Sequence, residues 1–417
     1  MRILQLTREV QEGLLRSRRS HSREAERVAA SIVNDVRHRG DAALFSWMRR
    51  LDHVSLNAKT VWFSRSELRA ARRRISPSFV EAVEHAANNI RAVARRQKPQ
   101  QWTLEVEPGV RVRQRVSPIE TVGCYLPGGR FSLVSTLLMT VIPAQEAGVE
   151  NIVVASPGAC EELLAAAEIL GVTSIARIGG AQAVAALAYG TQSIPRVDKI
   201  FGPGNRYVTA AKQIVSSDCA IDFLAGPTEA VIFAMRGDRR FIAADLIAQA
   251  EHDPDAVALF VTTSRAFGKA VQAEIARQLA QLPRTNPAWR SLARNGAVLI
   301  ARNVAEAVDF INRFAPEHLS LPGSASELIG RFHSAGSIFS GDWSAQPIGD
   351  YASGTNHVLP TSGLARARGG LSVADFVKCI SVQEISRKGL RRLAPVVAEF
   401  VRAEGLAAHG RAVEVRL

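Results

Sequence analysis

The chain has 417 residues, with 47% hydrophobic and 22% charged residues, which is typical of a globular protein with a large core and more than one domain. No apolar run reaches the roughly 18 residues of a membrane span and the N-terminus lacks an apolar signal core, so we expect a cytoplasmic protein without a membrane partner. The net charge of +13 raises the alternative of nucleic-acid binding, but aromatics are only 6%, they do not interleave with the arginines, and we expect no such partner.

The first part of the chain is predicted to be mostly helical. Residues 1–20 form a short, basic N-terminal extension. Apolar residues at helical spacing predict helices over 22–39, 41–50, 66–74 and 77–97. Alternating apolar and polar residues over 102–116 then predict a pair of strands that turns at Pro108–Gly109.

From residue 119 short apolar strands alternate with helices, which is typical of a parallel sheet covered by helices. The predicted strands are 121–126, 151–155, 174–178, 199–201 and 220–223, and the predicted helices are 135–147, 161–170, 181–189 and 207–215. Glycine-rich turns follow three of these strands, at the ends where parallel sheets bind ligands. No GxGxxG fingerprint is present, and glycine is also the ordinary residue of turns, so the turns alone are weak evidence.

A second alternating block follows. Its predicted strands are 230–234, 256–262, 296–301 and 336–339, and its predicted helices are 241–251, 267–281 and 303–314. A glycine- and serine-rich loop of about 20 residues, 340–361, comes next, and a loop of this length inside a compact region is usually functional. The tail, 372–417, is predicted to be helical, with 378–382 leading into a helix over 387–405 and a short apolar–polar alternation over 412–417.

Two small groups of side chains could carry chemistry. Gln249 and His252 are three residues apart near a helix end, so they share one face and could bind one cation through an amide oxygen and an imidazole nitrogen. The alternative is an ordinary polar helix end. Glu317 and His318 follow a proline and could act as an acid and a base on a reacting carbon. The alternative is a helix-to-strand corner with a capped imidazole.

Eight segments carry a resemblance to a known family. They are GCYLPGG (123–129), IGGAQAVAALAYGT (178–191), FGPGNRYV (201–208), AGPTE (225–229), AQAEHDPDA (248–256), APEHLSL (315–321), GDYASGTNHVLPT (349–361) and EGLAAH (404–409). With this set in this order, the chain resembles the histidinol dehydrogenase family along nearly its whole length.

The resemblance implies an α/β fold of two incomplete Rossmann-like parallel-sheet domains with small N- and C-terminal extensions, in a domain-swapped homodimer. The expected divisions are an N-terminal extension at 1–20, a first α/β domain of 21–118 and 230–371 that carries the metal and acid–base residues, a second α/β domain of 119–229 on the NAD side, and a C-terminal tail domain of 372–417 that reaches the partner subunit. Glu404 and His409 would then complete the other subunit's active site.

The resemblance also implies a zinc-dependent enzyme that oxidises L-histidinol through L-histidinaldehyde to L-histidine with two NAD, the last step of histidine biosynthesis. The implied ligands of one zinc ion per subunit are Gln249, His252, Asp350 and His409. The zinc would orient the substrate rather than generate hydroxide. His318 would be the general base, a role suited to a neutral imidazole near pH 7, and Glu317 would activate the water that adds to the aldehyde. The alternative is a related zinc- and NAD-dependent dehydrogenase of another polar alcohol.

Ligand contacts are likewise implied by the resemblance. The substrate-binding residues would be Thr228, Gln249, His252, His318, Asp350, Glu404 and His409. Tyr125, Gln182 and Asn205 match the NAD-contacting positions, on the three glycine-rich turns. The chain departs from residues common in the family at 133–134, Thr228, Met235 and Gln346, which concern the NAD-side loops more than the metal residues.

Overall fold

The computed structural model describes residues 1–18, 23–128 and 133–417, and within them it contains two parallel sheets flanked by helices and a small antiparallel sheet. The expected α/β class with two parallel-sheet units is confirmed, whereas the expected dimer stays a prediction. Residues 19–22 and 129–132, which include the start of the expected helix 22–39 and the end of the GCYLPGG segment, lie outside the described residues. In the described ranges no helix is long and apolar enough to cross a membrane.

The N-terminal part is helical, as expected, apart from a first short strand. It contains β1 (Arg2–Gln5), α1 (Arg8–Ser17), α2 (Arg23–Arg39), α3 (Asp41–Leu51), α4 (Arg65–Arg74) and α5 (Pro77–Gln97). The last two helices begin after Ser64 and Ser76, whose hydroxyls accept backbone N–H groups of the first turn. The expected strand pair is confirmed as β2 (Trp102–Glu107) and β3 (Val110–Pro118).

The first parallel sheet has the strand order β6-β5-β4-β7-β8. Its elements are β4 (Thr121–Tyr125), α6 (Val134–Ala147), β5 (Asn151–Ala155), α7 (Glu161–Ile169), β6 (Ile175–Ala176), α8 (Gly180–Tyr189), β7 (Lys199–Phe201), α9 (Arg206–Val215) and β8 (Ala220–Ile221). Helices α2 to α5 bury their apolar faces against this unit. We expected residues 21–118 to share a domain with 230–371, but these helices pack on the five-stranded sheet because its helices offer the matching apolar surface.

The second parallel sheet has the order β1-β11-β10-β9-β12-β13. Its elements are β9 (Glu229–Phe233), α10 (Arg239–Ala250), β10 (Val257–Thr262), α11 (Arg265–Leu279), α12 (Ala288–Arg294), β11 (Ala297–Ile300), α13 (Val304–Phe314), β12 (His318–Leu321) and β13 (Ser337–Ser340). The N-terminal strand β1 pairs in parallel with β11, so the first residues of the chain form one edge of this sheet. Its central strands are buried on both faces, which explains their continuous apolar sequence.

Two expectations for the C-terminal third were wrong. The expected loop 340–361 contains a helix, α14 (Gln346–Tyr351), which is held to β12 where Gln346 Nε2 donates to Ser320 Oγ at 2.9 Å. The tail is not helical throughout, because it contains the strand β14 (Val377–Ile385) before α15 (Arg387–Glu404) and α16 (Ala407–Glu414). Strand β14 pairs antiparallel with β3 along its whole length and thereby satisfies the backbone groups that the hairpin leaves free.

Candidate active site

The Glu317–His318 pair lies where helix α13 turns into strand β12. The helix ends at Ala315, whose φ of +49° is in the left-handed region, and Pro316 then leads the chain into the strand. His318 is the first residue of β12 and pairs with Ala230 of β9. Both side chains of the pair are buried. An acid and a base are therefore fixed together at the amino end of the six-stranded sheet.

Thr228 connects Gln249 to Glu317. The Thr228 hydroxyl donates to Glu317 Oε2 at 2.5 Å and accepts a hydrogen bond from Gln249 Nε2. The backbone N–H of Glu229 donates to the same carboxylate oxygen at 2.9 Å. Gln249 reaches this point because it lies in the last turn of α10, the helix that returns the chain from the carboxyl end of β9 to the amino end of β10. One hydrogen-bonded series thus joins three of the side chains named from the sequence.

His318 lies between two carboxylates. Its Nδ1 is 3.7 Å from Glu317 Oε2 and its Nε2 is 3.6 Å from Asp350 Oδ1, both longer than a normal hydrogen bond. The ring stacks on Phe339, with 5.8 Å between the ring centroids. Burial lowers the pKa of His318, but the two carboxylates outweigh burial and raise it to about 10. The two carboxylates therefore favour the protonated form of the side chain that the resemblance names as the general base.

Asp350 lies on α14 rather than on a loop, and it is surrounded by histidines. Its backbone oxygen accepts a hydrogen bond from His357 Nδ1 at 2.9 Å, and His357 Nε2 lies 3.3 Å from Thr136 Oγ1. Burial would raise the pKa of Asp350, but His318, His357 and His252 outweigh it and hold the pKa below its usual range. His357 is not among the residues expected from the sequence, although the Asn-His pair of the segment 349–361 was an available signal.

Three of the four expected metal ligands lie in this region. Gln249 is buried, and His252 is exposed just beyond the end of α10, where it lines a cavity of about 490 Å³ together with Tyr351. Across the described ranges no three His, Cys, Asp or Glu side chains are grouped closely enough to hold a metal ion. Gln249, His252 and Asp350 thus offer one amide, one imidazole and one carboxylate, and the fourth expected ligand is missing from this region.

The tail residues Glu404 and His409 do not join this group within one chain. Glu404 is the last residue of α15, and His409 lies on α16. These two helices pack mainly on each other and on β14, and both side chains are exposed. The fourth expected metal ligand, His409, is thus separated from the other three.

The expected NAD contacts lie at the carboxyl ends of strands in the five-stranded sheet. The Tyr125 hydroxyl accepts a hydrogen bond from the Gly180 N–H at 3.1 Å, and burial raises the pKa of Tyr125 to about 12. Gln182 Nε2 donates to Asp52 Oδ2 at 2.9 Å, while Gln182 Oε1 is buried and has no hydrogen-bond partner in the described structure. Asn205 caps α9, since its Oδ1 accepts two N–H groups of the first turn. The first two residues form one group, and Asn205 lies on the neighbouring turn.

A buried ion pair between Lys212 and Asp222 holds the turn at Gly202, which lies just before Asn205 and against the backbone of Tyr125. Asp222 Oδ2 accepts the N–H of Gly202 at 2.8 Å, and Lys212 Nζ, which is paired with Asp222, donates to the Gly202 oxygen at 3.0 Å. Gly202 has a φ of +107°, and a Cβ on it would lie 2.1 Å from the backbone oxygen of Tyr125. Glycine is thus required where these two turns meet. Lys212 and Asp222 are not among the site residues expected from the sequence.

Comparisons with known proteins agree with the motifs. The family model described as histidinol dehydrogenase matches residues 15–417. The histidinol dehydrogenase of Geobacillus kaustophilus is 46% identical over 97% of both chains, and that of Methanosarcina barkeri is 43% identical over 96% of this chain and 94% of its own. The crystal structure of histidinol dehydrogenase from Elizabethkingia anophelis superposes with a TM-score of 0.94 at 35% identity, covering 100% of this chain and 98% of the other.

Proposed function

We propose that this chain, which belongs to the histidinol dehydrogenase family, oxidises L-histidinol through L-histidinaldehyde to L-histidine with two NAD. This is the last step of histidine biosynthesis, and the cytoplasm remains its expected location. The observation that carries the proposal is the buried Glu317–His318 pair, held between Thr228 on one side and Asp350 on the other. When bound, NAD would supply the hydride acceptor for each of the two oxidations.

The first oxidation requires a base for the alcohol proton, and we assign that proton to His318. A base must be neutral before it accepts a proton, whereas the two carboxylates beside His318 raise its pKa to about 10. His318 therefore acts as a base near pH 7 only if part of the neighbouring negative charge is compensated. Asp350 is the carboxylate at which a cation would have this effect, because it faces His318 and is one of the expected metal ligands.

The donor set around Asp350 fits zinc. Gln249, His252 and Asp350, with a further imidazole from His409, would hold the ion through oxygen and nitrogen donors. The Gln249 amide nitrogen already donates to Thr228, which leaves the amide oxygen for the cation. When bound, zinc would hold the imidazole and amine of the substrate and lower the pKa of His318 by compensating Asp350.

The second oxidation requires water to add to the aldehyde, and we assign its activation to Glu317. Hydrogen bonds from Thr228 and from the backbone of Glu229 hold Oε2, so Oε1 remains to accept a proton from the water as its oxygen bonds to the aldehyde carbon. His318 returns its first proton to the aldehyde oxygen as the water adds, and it then takes a hydroxyl proton from the hydrate as the second hydride leaves for NAD. The proposal thus keeps Thr228 and His318 as substrate-binding residues, as the resemblance implies.

On the cofactor side we propose that Tyr125, Gln182 and Asn205 bind NAD. The support is their position at the carboxyl ends of parallel strands, where such sheets bind nucleotides. The buried and unpartnered Gln182 Oε1 is a further acceptor at this place. Its neighbour Asp52 keeps the amide in one orientation.

We further propose a homodimer in which each tail completes the partner's active site with Glu404 and His409. The tail presents exposed apolar side chains, among them Val396, Phe400 and Val415, which a second copy would cover. His409 would supply the imidazole that the metal site lacks within one chain. Glu404 would bind the imidazole or ammonium group of the substrate.

The test of the activity is NADH formation from histidinol by the purified protein, before and after treatment with a strong chelator. We expect turnover that the chelator abolishes and added zinc restores. Failure to turn over histidinol with zinc present would rule out the proposed activity. Unchanged turnover after complete metal removal would rule out the metal assignment alone.

The test of the shared site is mixing of two inactive variants, His318→Ala and His409→Ala. After subunit exchange, a heterodimer has one site with both substitutions and one site with neither, so partial activity should return. Exchange confirmed by a tagged subunit, with no recovery of activity, would contradict the crossing of the tails.

A further inference from the structure

Arg18, at the end of α1, places a buried charge behind the acid–base pair. Its guanidinium binds the Glu229 carboxylate with two hydrogen bonds, one of them 2.6 Å from Nε to Oε1. The side chains of Arg18 and Glu229 are 4% and 2% exposed. The guanidinium also lies 3.7 Å over the ring of Phe314. Arg18 thus belongs to the core, although it comes from the N-terminal segment.

The contacts of Arg18 lead to Glu317 along two routes. Glu229 is the residue whose backbone N–H donates to Glu317 Oε2 at 2.9 Å. Arg18 also donates to the backbone oxygens of Phe314 and Ala315, the residues that form the left-handed corner before Pro316. One side chain therefore holds both the neighbour of Glu317 and the turn on which Glu317 stands.

Charge explains why an arginine is needed here. Glu229 and Glu317 are both buried and lie side by side at the amino ends of β9 and β12, and the charge of Glu317 acts on Glu229. Two buried carboxylates repel each other, and a cation beside one of them offsets this repulsion. Arg18 supplies that cation to Glu229, while Glu317 keeps its carboxylate for the substrate side.

We propose that Arg18 is a positioning residue for the aldehyde-oxidising step, acting through Glu229 and the turn before Pro316 to hold Glu317 in place. This inference rests on the proposed role of Glu317 in activating water. The proposed role of Arg18 should affect two reactions of the same aldehyde differently. Oxidation of histidinaldehyde by NAD needs water and Glu317, whereas its reduction by NADH needs a proton donor at His318 and no water.

The experiment compares these two reactions in Arg18→Met, with histidinaldehyde as the substrate of both. We expect oxidation to fall about 10- to 100-fold, the range of a lost hydrogen bond to a charged group, and reduction to stay within about twofold of the wild type. Glu317→Gln should show the same split. Arg18→Lys keeps the charge but lacks the planar guanidinium that binds Glu229 and the backbone at the same time. Its oxidation rate should therefore lie between those of the wild type and Arg18→Met.

Further variants test the route and the fold. Arg18→Met with Glu229→Gln removes both charges, so it should oxidise the aldehyde faster than Arg18→Met alone. Arg313→Met is the matched control, because Arg313 ties α13 to Gln11 of α1 at 2.9 Å without touching Glu229. It should leave both reactions unchanged, and thermal unfolding verifies that each variant is folded.

The inference is overturned if Arg18→Met loses oxidation and reduction equally, if it loses neither, or if the double variant is no faster than Arg18→Met. Inactivity of the wild type toward histidinol and histidinaldehyde would instead refute the proposed function. The two failures are therefore distinguishable.

Discussion

Replacement of Thr228 by valine tests the hydrogen-bonded series at the centre of the site. Valine has nearly the same shape as threonine but removes the hydroxyl that donates to Glu317 at 2.5 Å and accepts from Gln249. A hydrogen bond to a charged group contributes about 1.5–3 kcal/mol. Loss of that amount in the transition state corresponds to a decrease of about 10- to 150-fold in kcat/KM.

The assay is the initial rate of NADH formation over a range of histidinol concentrations. Thr228→Ser is the matched control, since it keeps the hydroxyl and should stay within about threefold of the wild type if the hydrogen bonds carry the effect. Zinc content, measured on the same samples, separates the two partners of Thr228. A loss of zinc indicates that Gln249 has moved, and a lower kcat at full zinc content indicates that Glu317 has moved.

A kcat/KM of Thr228→Val close to that of the wild type would refute this reasoning, because this variant lacks the hydroxyl but keeps the shape of the side chain. A decrease in Thr228→Ser as large as that in Thr228→Val would also refute it, because Thr228→Ser keeps the hydroxyl and lacks only the methyl group. Neither outcome depends on how tightly the protein binds NAD when NAD is saturating.

Two further predictions concern the proposed NAD side and the stability of α10, the helix that carries Gln249. Gly202→Ala places a Cβ 2.1 Å from the Tyr125 oxygen at a φ of +107°, so the turn must move, and we expect a KM for NAD raised about tenfold or more with a smaller change in the KM for histidinol. An unchanged KM for NAD would contradict this role of the turn. Burial raises the pKa of Asp245, on α10, to about 6, so this carboxyl contributes stability below its unfolded pKa that is lost as pH rises through 6. In urea unfolding, the stability of Asp245→Asn relative to the wild type should therefore rise by about 1–3 kcal/mol between pH 4 and pH 7.5, and a difference independent of pH would contradict the shift.

Local sequence signals were sufficient for most helices and strands, and they failed where an element is short or depends on a distant partner. The helix Pro77–Gln97 has the bounds that its serine cap, first-turn proline and apolar spacing predict. Helix α14 was missed because six residues with a proline and a glycine carry little helical periodicity. Strand β14 was missed because its partner β3 lies more than 250 residues earlier in the chain.

The sequence motifs name the residues of the candidate site, but they do not predict the charges that surround them. The motifs name Glu317, His318 and Asp350, yet only the fold places a carboxylate on each side of the His318 ring and raises its pKa. The pair of Arg18 and Glu229 joins residues 211 positions apart. No local pattern marks such a partner, since a single arginine in a chain with 52 Lys and Arg residues carries no signal.

The two halves of the proposed site lie at opposite ends of their sheets, and a short segment connects them. Asp222 holds the Gly202 turn beyond the carboxyl ends of the five-stranded sheet, and Thr228 holds Glu317 at the amino end of the six-stranded sheet. Six residue steps separate Asp222 from Thr228, which limits their distance to about 20 Å even in a fully extended chain. The segment is tied down on the way, where Gly226 N–H donates to Thr361 Oγ1 at 2.5 Å. In the proposed function a dinucleotide at the first sheet would have to present its reactive ring to a substrate at the second, so a change in this segment should alter hydride transfer without removing any residue proposed to touch the substrate.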